Sequence, residues 1–226
     1  MNSVTSQLLH PTITHRLGAV VQFIDHFTGL PIRTPLRASI PDQRWDAIRS
    51  ESDLTYRFIR THREIPTGSF DVVVECPSGE YERIEQVTIT LPIVVGHPPP
   101  IVRDDYLSRF PLWPTRRLRP EVGETVVTGR VLHTAPPLAP AVGMRVRLST
   151  PVIPPAGTAY AYTNAQGEFV YRLPGLRMSI SGGIPVTTAT LNVEIRDAAD
   201  VAGFPANPST IVVRLGETNE ATIEIP

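Results

Sequence analysis

Proline and glycine interrupt this sequence along its whole length, and they limit the chain to short structural elements. The 226 residues include 24 prolines and 15 glycines. Both residue types weaken or break helices, and no window of about eleven residues or more shows a 3.6-residue apolar period. Between the breaks lie runs rich in Val, Ile and Thr, which favour strands. The sequence therefore predicts an all-β fold.

These runs alternate between apolar and polar residues, as half-buried strands do. They recur about every ten residues, with turn-forming residues between them, which is typical of β-sandwiches. The segments predicted as strands are Ala19–Asp25, Ser69–Cys76, Val87–Leu91, Met144–Ser149, Thr190–Arg196, Thr210–Leu215 and Ala221–Ile225.

The order of the elements repeats in the two halves of the chain. Ala19–Pro41 and Thr125–Pro151 each contain a strand, a turn with Gly or Pro, and a second strand. Trp45–Arg60 and Ala159–Pro174 each contain a strand, a tight polar turn, and a strand with an aromatic residue. We therefore predict an N-terminal arm at 1–16, a first β-sandwich at 17–95, a Pro-rich strap at 96–121 and a second β-sandwich at 122–226.

The second half carries a more specific pattern, which consists of Gly129, Pro140, Gly143, Asn164 and Gly167. Asn164 can brace a turn through its side chain, and Gly167 can adopt a positive φ at no steric cost. Over Thr125 to about Pro174, these residues resemble the carboxypeptidase regulatory-like family. The resemblance implies two tandem transthyretin/Ig-like β-sandwich domains joined by the strap. It also implies an accessory role, as in accessory proteins of phage-tail-like contractile injection particles.

The first half shows a weaker form of this pattern. Asp25–Ile32 has the Gly-x-Pro arrangement, but Ser50–Leu54 holds no glycine where the second turn is expected.

The composition argues against several classes of function. A net charge of −1 and a pI near 6.6 do not favour a nucleic-acid binder, which normally carries a basic patch. The six histidines show no metal-binding spacing, and the lone Cys76 lies in an apolar strand, where it is more typical of a core residue than of a nucleophile. We therefore expect no enzymatic activity, no cofactor and no metal site.

The N-terminal sequence and the single cysteine also predict a location. Met1–Arg16 lacks the basic region of a secretory signal, no apolar run is long enough to span a bilayer, and Cys76 has no partner for a disulfide. We expect a cytoplasmic protein, or one that leaves the cell within a released particle. The alternation in Ser3–His10 predicts that the arm adds as an edge strand to a neighbour.

The strap combines aromatic residues with arginines, the residue types enriched at interface hot spots. Asp104 and Asp105 are predicted to cap one helical turn, Tyr106–Phe110, which Pro111 ends. The candidate partner-binding residues are Tyr106, Phe110, Trp113, Arg116, Arg117 and Arg119. The aromatic residues either bury against the protein's own two domains and fix their arrangement, or insert into another chain.

These observations predict a non-enzymatic structural or adaptor protein of a multi-subunit assembly, for which a contractile injection system is the leading candidate. Its partners are expected to be proteins, including further copies of the chain. The alternative is an exported ligand-binding or adhesin module for a carbohydrate or protein ligand. That alternative predicts an exposed aromatic platform on a sheet face.

Overall fold

The structure is a computed structural model of the chain, and it describes residues 15–61, 64–82, 84–91, 107–134, 137–150, 159–197 and 209–226. Within these ranges the regular secondary structure is β-strand, apart from one 3₁₀ turn at Pro41–Gln43. No helix in the described ranges is long and apolar enough to cross a membrane. The all-β prediction is confirmed, and a strand is found at each of the seven segments predicted from alternation.

The first half of the chain forms two four-stranded sheets. The strands are β1 (His15–Asp25), β2 (Arg37–Ile40), β3 (Trp45–Asp46), β4 (Ile48–Ser50), β5 (Thr55–Thr61), β6 (Gly68–Glu75), β7 (Ile84–Leu91) and β8 (Leu107–Leu112). One sheet has the order β4-β5-β1-β8 and the other the order β3-β2-β6-β7.

The second half also forms two main sheets. The strands are β9 (Thr125–His133), β10 (Ala139–Pro140), β11 (Met144–Ser149), β12 (Ala161–Tyr162), β13 (Glu168–Leu173), β14 (Ser179–Ser181), β15 (Ile184–Val186), β16 (Thr188–Asp197), β17 (Ser209–Arg214) and β18 (Thr218–Ile225). In one sheet β9 pairs with β10, β13 and β18, and the other has the order β12-β11-β16-β17. β14 and β15 form a separate two-stranded hairpin.

Apart from β4, β10 and the β14–β15 hairpin, the strands of the two halves follow one pairing scheme. β1 lies between β5 and β8, as β9 lies between β13 and β18. The order β3-β2-β6-β7 corresponds strand for strand to β12-β11-β16-β17. β18 runs parallel to β9. The backbone N–H of His26 donates to the carbonyl of Leu112 at 3.0 Å, so β1 and β8 end together and also run parallel. The repeat predicted from the order of the elements is therefore present in the pairing of the strands.

The described residues fall into two compact units. One contains the described residues within 15–23, 36–75 and 84–110, and the other contains those within 24–35, 76–83 and 111–226. Fully buried side chains of the first unit include Phe23, Tyr56, Phe58, Val72 and Val74. The core of the second unit includes Val127, Val131, Val146, Phe169 and Leu191. The sequence-based boundaries of two consecutive domains stay a prediction.

The turn before β13 has the geometry that the sequence predicts. Oδ1 of Asn164 accepts hydrogen bonds from the backbone N–H groups of Gln166 and Glu168, both at 2.9 Å. Gly167 has a φ of +72°, and a Cβ there would lie 2.5 Å from the carbonyl oxygen of Val131. Glycine is therefore required both by the backbone angle and by the lack of space.

The corresponding turn of the first half is built without glycine. Leu54 adopts the left-handed conformation, with a φ of +53°, which is strained for a residue with a Cβ. The Asp53 carboxylate accepts hydrogen bonds from the Thr55 hydroxyl at 2.7 Å and from Arg57 at 2.9 Å. Burial raises the pKa of Asp53, but hydrogen bonds from Ser50, Thr55 and Arg57 outweigh it, so the pKa lies well below its usual value. The carboxylate therefore holds a turn that has no glycine.

The strap contains a strand where a helical turn is predicted. Leu107–Leu112 forms β8, so the helical-turn prediction is wrong for residues 107–110, while Tyr106 lies outside the described residues. Among the described residues, β8 is the last strand of its sheet. An edge strand tolerates Pro111, because a backbone N–H on the outer side of an edge strand is not needed for the sheet. Of the predicted N-terminal arm, His15 and Arg16 pair with β5, and residues 1–14 lie outside the described ranges.

Candidate interaction surface around Trp113

Trp113 follows β8 directly and is held there by its backbone. Its carbonyl accepts the N–H of Glu82 at 3.0 Å, and the N–H of Thr115 donates to the carbonyl of Glu80 at 2.8 Å. Pro114 forms a β-bridge with Tyr81. This short ladder fixes the backbone on both sides of Trp113 and so sets the position of the indole ring.

The indole ring belongs to a group of aromatic side chains that we call the Trp113 cluster: Trp113, His26, Tyr160 and Tyr162. The His26 ring stacks on Trp113 with centroids 4.6 Å apart. Trp113 Nε1 donates to the carbonyl of Tyr160 at 3.0 Å. The Tyr162 ring lies 5.6 Å from Trp113 and 5.0 Å from Tyr160. All four residues are half-buried, so the cluster is packed within the second unit and still reaches its surface.

The pKa shifts of His26 and Tyr162 favour their uncharged forms. Burial lowers the pKa of His26, and the nearby Asp25 carboxylate offsets this only in part. The Nε2 atom of His26 lies 3.3 Å from the N–H of Tyr160, which donates to it, so this contact needs the neutral ring. Burial raises the pKa of Tyr162 to about 12, and the hydrogen bond with the Tyr160 hydroxyl contributes to this rise. The Arg145 guanidinium lies 5.8 Å from the centre of the Tyr160 ring and supplies a cation at the edge of the cluster.

A buried ionic network lies next to the cluster, because Asp25 precedes His26. Arg172 donates to Asp25 Oδ2 at 2.7 Å and to both carboxylate oxygens of Glu124, at 2.6 and 2.8 Å. The Tyr81 hydroxyl donates to Asp25 Oδ2 at 3.1 Å. The Arg172 side chain is only 8% exposed, and bidentate pairing of this kind is the strongest form of ion pair.

The network keeps its charges in spite of burial. Burial alone lowers the pKa of Arg172, but the hydrogen bonds and charges of Glu124 and Asp25 outweigh it, and the pKa rises. Burial and then Asp25 raise the pKa of Tyr81, so its hydroxyl stays a donor. Asp25 Oδ1 also accepts the N–H groups of Phe27 and Thr28, at 3.0 and 2.9 Å. The network therefore fixes the loop that carries His26.

The structure places five of the six candidate partner-binding residues. Phe110 is half-buried in β8, with its ring centre 6.4 Å from that of Phe23. Arg116 pairs with Glu168 at 3.2 Å, and Arg117 packs against Gly79. Arg119 is exposed, Trp113 lies in the cluster described above, and Tyr106 lies outside the described ranges. Contact of these residues with a partner stays a prediction.

Sequence reasoning missed most of the residues around Trp113. His26, Tyr160 and Tyr162 match no motif, because they come together only through folding. Asp25 and Arg172 could have been recognised from the sequence, because each is a charged residue in or at the end of an apolar strand. A charged residue in such a place is expected to be buried, and a buried charge needs a partner of opposite charge. Nothing in the sequence indicates which partner each one takes.

The side chains near Trp113 are suited to binding rather than to chemistry. They offer ring faces, hydroxyl groups and a cation, which are the groups found at protein interfaces. In the part of the chain that the structure describes, no group of three or more His, Cys, Asp or Glu side chains is placed to hold a metal ion.

No protein-family model matches the sequence, and no curated protein matches it. The carboxypeptidase regulatory-like resemblance therefore stays a prediction.

Solved structures give only remote likenesses. The Bacillus anthracis TIE protein aligns with 92% of this chain at 10% identity and a TM-score of 0.27, and the chain spans 33% of its length. The alignment with the minor pilin GBS52 of Streptococcus agalactiae covers 92% of this chain and 96% of the pilin chain. Its sequence identity is 11% and its TM-score is 0.28. The alignment with a streptococcal ancillary pilin covers 93% of this chain and 68% of the pilin chain, at 11% identity and a TM-score of 0.26.

Proposed function

We propose that the protein is a non-enzymatic structural module that joins protein partners in a multi-subunit assembly, and that the Trp113 cluster is a contact surface. The observation that carries this proposal is the half-burial of a four-ring cluster beside the Arg145 guanidinium. Its rings are fixed by their own chain on one side, so binding would order few additional side chains, and such preorganisation favours affinity.

The surroundings of the cluster fit a protein partner. Arg116 is exposed next to Glu168, and Arg119 is exposed further along the strap. Aromatic residues and arginine are enriched in the energetic centres of interfaces, and charged groups at the rim govern the rate of association. In this proposal the exposed strap arginines, which follow Trp113 in the chain, supply such charged groups.

The wider assembly is inferred from the sequence resemblance alone. The carboxypeptidase regulatory-like pattern from Gly129 to Gly167 favours an accessory part of a phage-tail-like contractile injection particle. This assignment would place the protein in the cytoplasm until the particle is released. Fold does not define function, so we treat the particle as the first assembly to test.

The test is Trp113→Ala, with Trp113→Phe and Arg119→Ala as matched variants. We expect Trp113→Ala to reduce binding to the assembly at least tenfold, because it removes an aromatic anchor worth about 2 kcal/mol or more. Trp113→Phe keeps a ring and should lose less, and Arg119→Ala should change chiefly the salt dependence. Co-sedimentation with particles from the native host measures binding, with circular dichroism to verify folding. Unchanged binding of a folded Trp113→Ala variant would contradict the proposal.

A ligand-binding or adhesin module is the second candidate, and the cluster itself is the observation that favours it. Tyr160 and Tyr162 lie at β12, on the edge of a sheet, and half-exposed tyrosines can stack on sugar rings while their hydroxyls bind sugar oxygens. A glycan array separates the two candidates. Saturable glycan binding that Trp113→Ala abolishes, without any binding to particles, would favour the adhesin.

A further inference from the structure

The β14–β15 hairpin is separate from the main sheets. Ser179, Ile180 and Ser181 pair with Val186, Pro185 and Ile184. Gly182 and Gly183 form the two-residue turn with φ values of +59° and +82°. Positive φ at both turn positions is the type I′ geometry, which matches the twist of a tight hairpin and favours glycine.

The hairpin exposes apolar side chains to solvent. Ile180 is 76% exposed, Ile184 70%, Met178 60% and Val186 36%. The ten residues from Met178 to Thr187 include no charged side chain. An isolated two-stranded hairpin is marginal in water, and natural proteins usually protect exposed strand edges with charges. An uncharged apolar hairpin of this kind is therefore suited to pairing with another strand.

The two edges of the hairpin differ. In a two-residue hairpin the residues next to the turn, here Ser181 and Ile184, form a hydrogen-bonded pair, and the pairs alternate from there. Ile180 and Pro185 therefore form a non-hydrogen-bonded pair whose backbone groups point outward. Pro185 has no N–H to offer, so the β15 edge is blocked. Ile180 has both an N–H and a carbonyl, and among the described residues no strand other than β15 pairs with β14. The β14 edge is therefore able to accept a further strand.

We infer that a second copy of this chain pairs with the β14 edge, strand β14 against strand β14 in antiparallel register about Ile180. Two features of the hairpin support this occupant. Because the segment is uncharged, two identical edges meet without electrostatic repulsion. Because Pro185 blocks the other edge, the pairing closes at two copies and does not continue into a fibre.

The pairing has a defined geometry. The Ile180 residues of the two copies face each other across the two-fold axis and exchange two N–H···O bonds, with Cα atoms about 5.5 Å apart. The Ile180 and Pro185 side chains of both copies then lie on one face of a four-stranded sheet. The strands are short and the contact is small, so we expect weak association at high protein concentration. Such a contact gains strength when an assembly presents many copies.

The test is cysteine cross-linking in a Cys76→Ser background, which removes the natural thiol. Ile180→Cys places two thiols across the two-fold axis at a Cα separation that a disulfide can bridge. Ile184→Cys is the matched control, because it is nearly as exposed and lies in the same hairpin. In the paired sheet the two Ile184 positions are three strand spacings apart and also offset along the strands, so they are separated by more than about 14 Å. We expect mild oxidation to give a covalent dimer at least ten times faster for Ile180→Cys than for Ile184→Cys.

A second measurement does not depend on cysteine chemistry. Ile180→Pro removes the outward N–H of β14, as Pro185 already does on β15, and leaves the hydrogen-bonded pairs of the hairpin intact. Loss of both intermolecular bonds should weaken self-association about tenfold or more in sedimentation equilibrium. Equal cross-linking of the two cysteine variants would overturn the inference, as would a monomeric wild-type protein or self-association that Ile180→Pro leaves unchanged.

Discussion

Replacing Arg172 with methionine should strongly destabilise the second unit. Arg172 donates three hydrogen bonds to two buried carboxylates, at 2.6, 2.8 and 2.7 Å. Methionine fills similar space but donates none of these bonds. Asp25 and Glu124 would then be buried with no cation between them. The effect would come from the charges left behind, more than from the loss of the arginine side chain itself.

The expected magnitude follows from the burial of the network. Removal of one partner from a buried ion pair costs about 3–5 kcal/mol, whereas an exposed pair contributes about 1 kcal/mol or less. A loss of about 3 kcal/mol corresponds to a decrease in Tm of roughly 10 °C for a unit of this size. The double variant Arg172→Met/Glu124→Leu should recover part of this loss, because it removes the carboxylate that Arg172 binds in bidentate fashion.

Thermal and urea unfolding of the single and double variants would measure these differences. Arg130→Ala is the control, because Arg130 also pairs with a glutamate, at 3.0 Å, but is about half exposed. The reasoning is refuted if Arg172→Met and Arg130→Ala destabilise the protein equally. It is also refuted if the double variant is less stable than Arg172→Met alone.

Two further predictions concern the turn glycines and His26. Gly143→Ala should cost about 1–2 kcal/mol of unfolding free energy, from its φ of +71° alone. Gly167→Ala should cost at least about 1 kcal/mol more, because its Cβ would also meet the Val131 carbonyl, and urea denaturation of the two variants tests this difference. The lowered pKa of His26 favours the neutral ring in the folded state. Its stability contribution is therefore complete above the ordinary pKa of 6.5 and is lost as the pH falls through 6.5 towards the lower folded-state value. Between about pH 7.5 and about pH 5, the Tm of the wild type should fall further than that of His26→Gln, and parallel Tm profiles would contradict this.

The sequence predicts the strands of this protein better than it predicts the candidate site. Alternation locates a strand such as Met144–Ser149, because successive side chains of a strand point to opposite faces of the sheet. Buried and exposed residues therefore alternate in the sequence itself. β8 escapes this reasoning, because Pro111 suggests a break unless the strand is known to lie at a sheet edge. Edge position depends on the whole sheet, which a local pattern does not contain.

The Trp113 cluster depends on contacts between distant segments. The hydrogen bond between Arg172 and Asp25 joins residues 147 positions apart, and Trp113 meets Tyr160 across 47 positions. The residue types alone indicate that a buried arginine needs an acidic partner and that a tryptophan needs neighbouring residues to bury its ring. The choice among the acidic and aromatic residues of the chain is made by the strand pairing.

The β14–β15 hairpin lies outside the framework that the two halves share. The corresponding strands of the two halves carry the buried residues, and the same order of pairing recurs in each half. In the chain, the β14–β15 hairpin lies between β13 and β16. The corresponding strands of the first half are β5, which ends at Thr61, and β6, which begins at Gly68. Six residues leave no room for a hairpin of this size, so the hairpin belongs to the second half alone. Segments outside a repeated framework can vary without disturbing the cores, and binding sites in proteins are often placed on such segments.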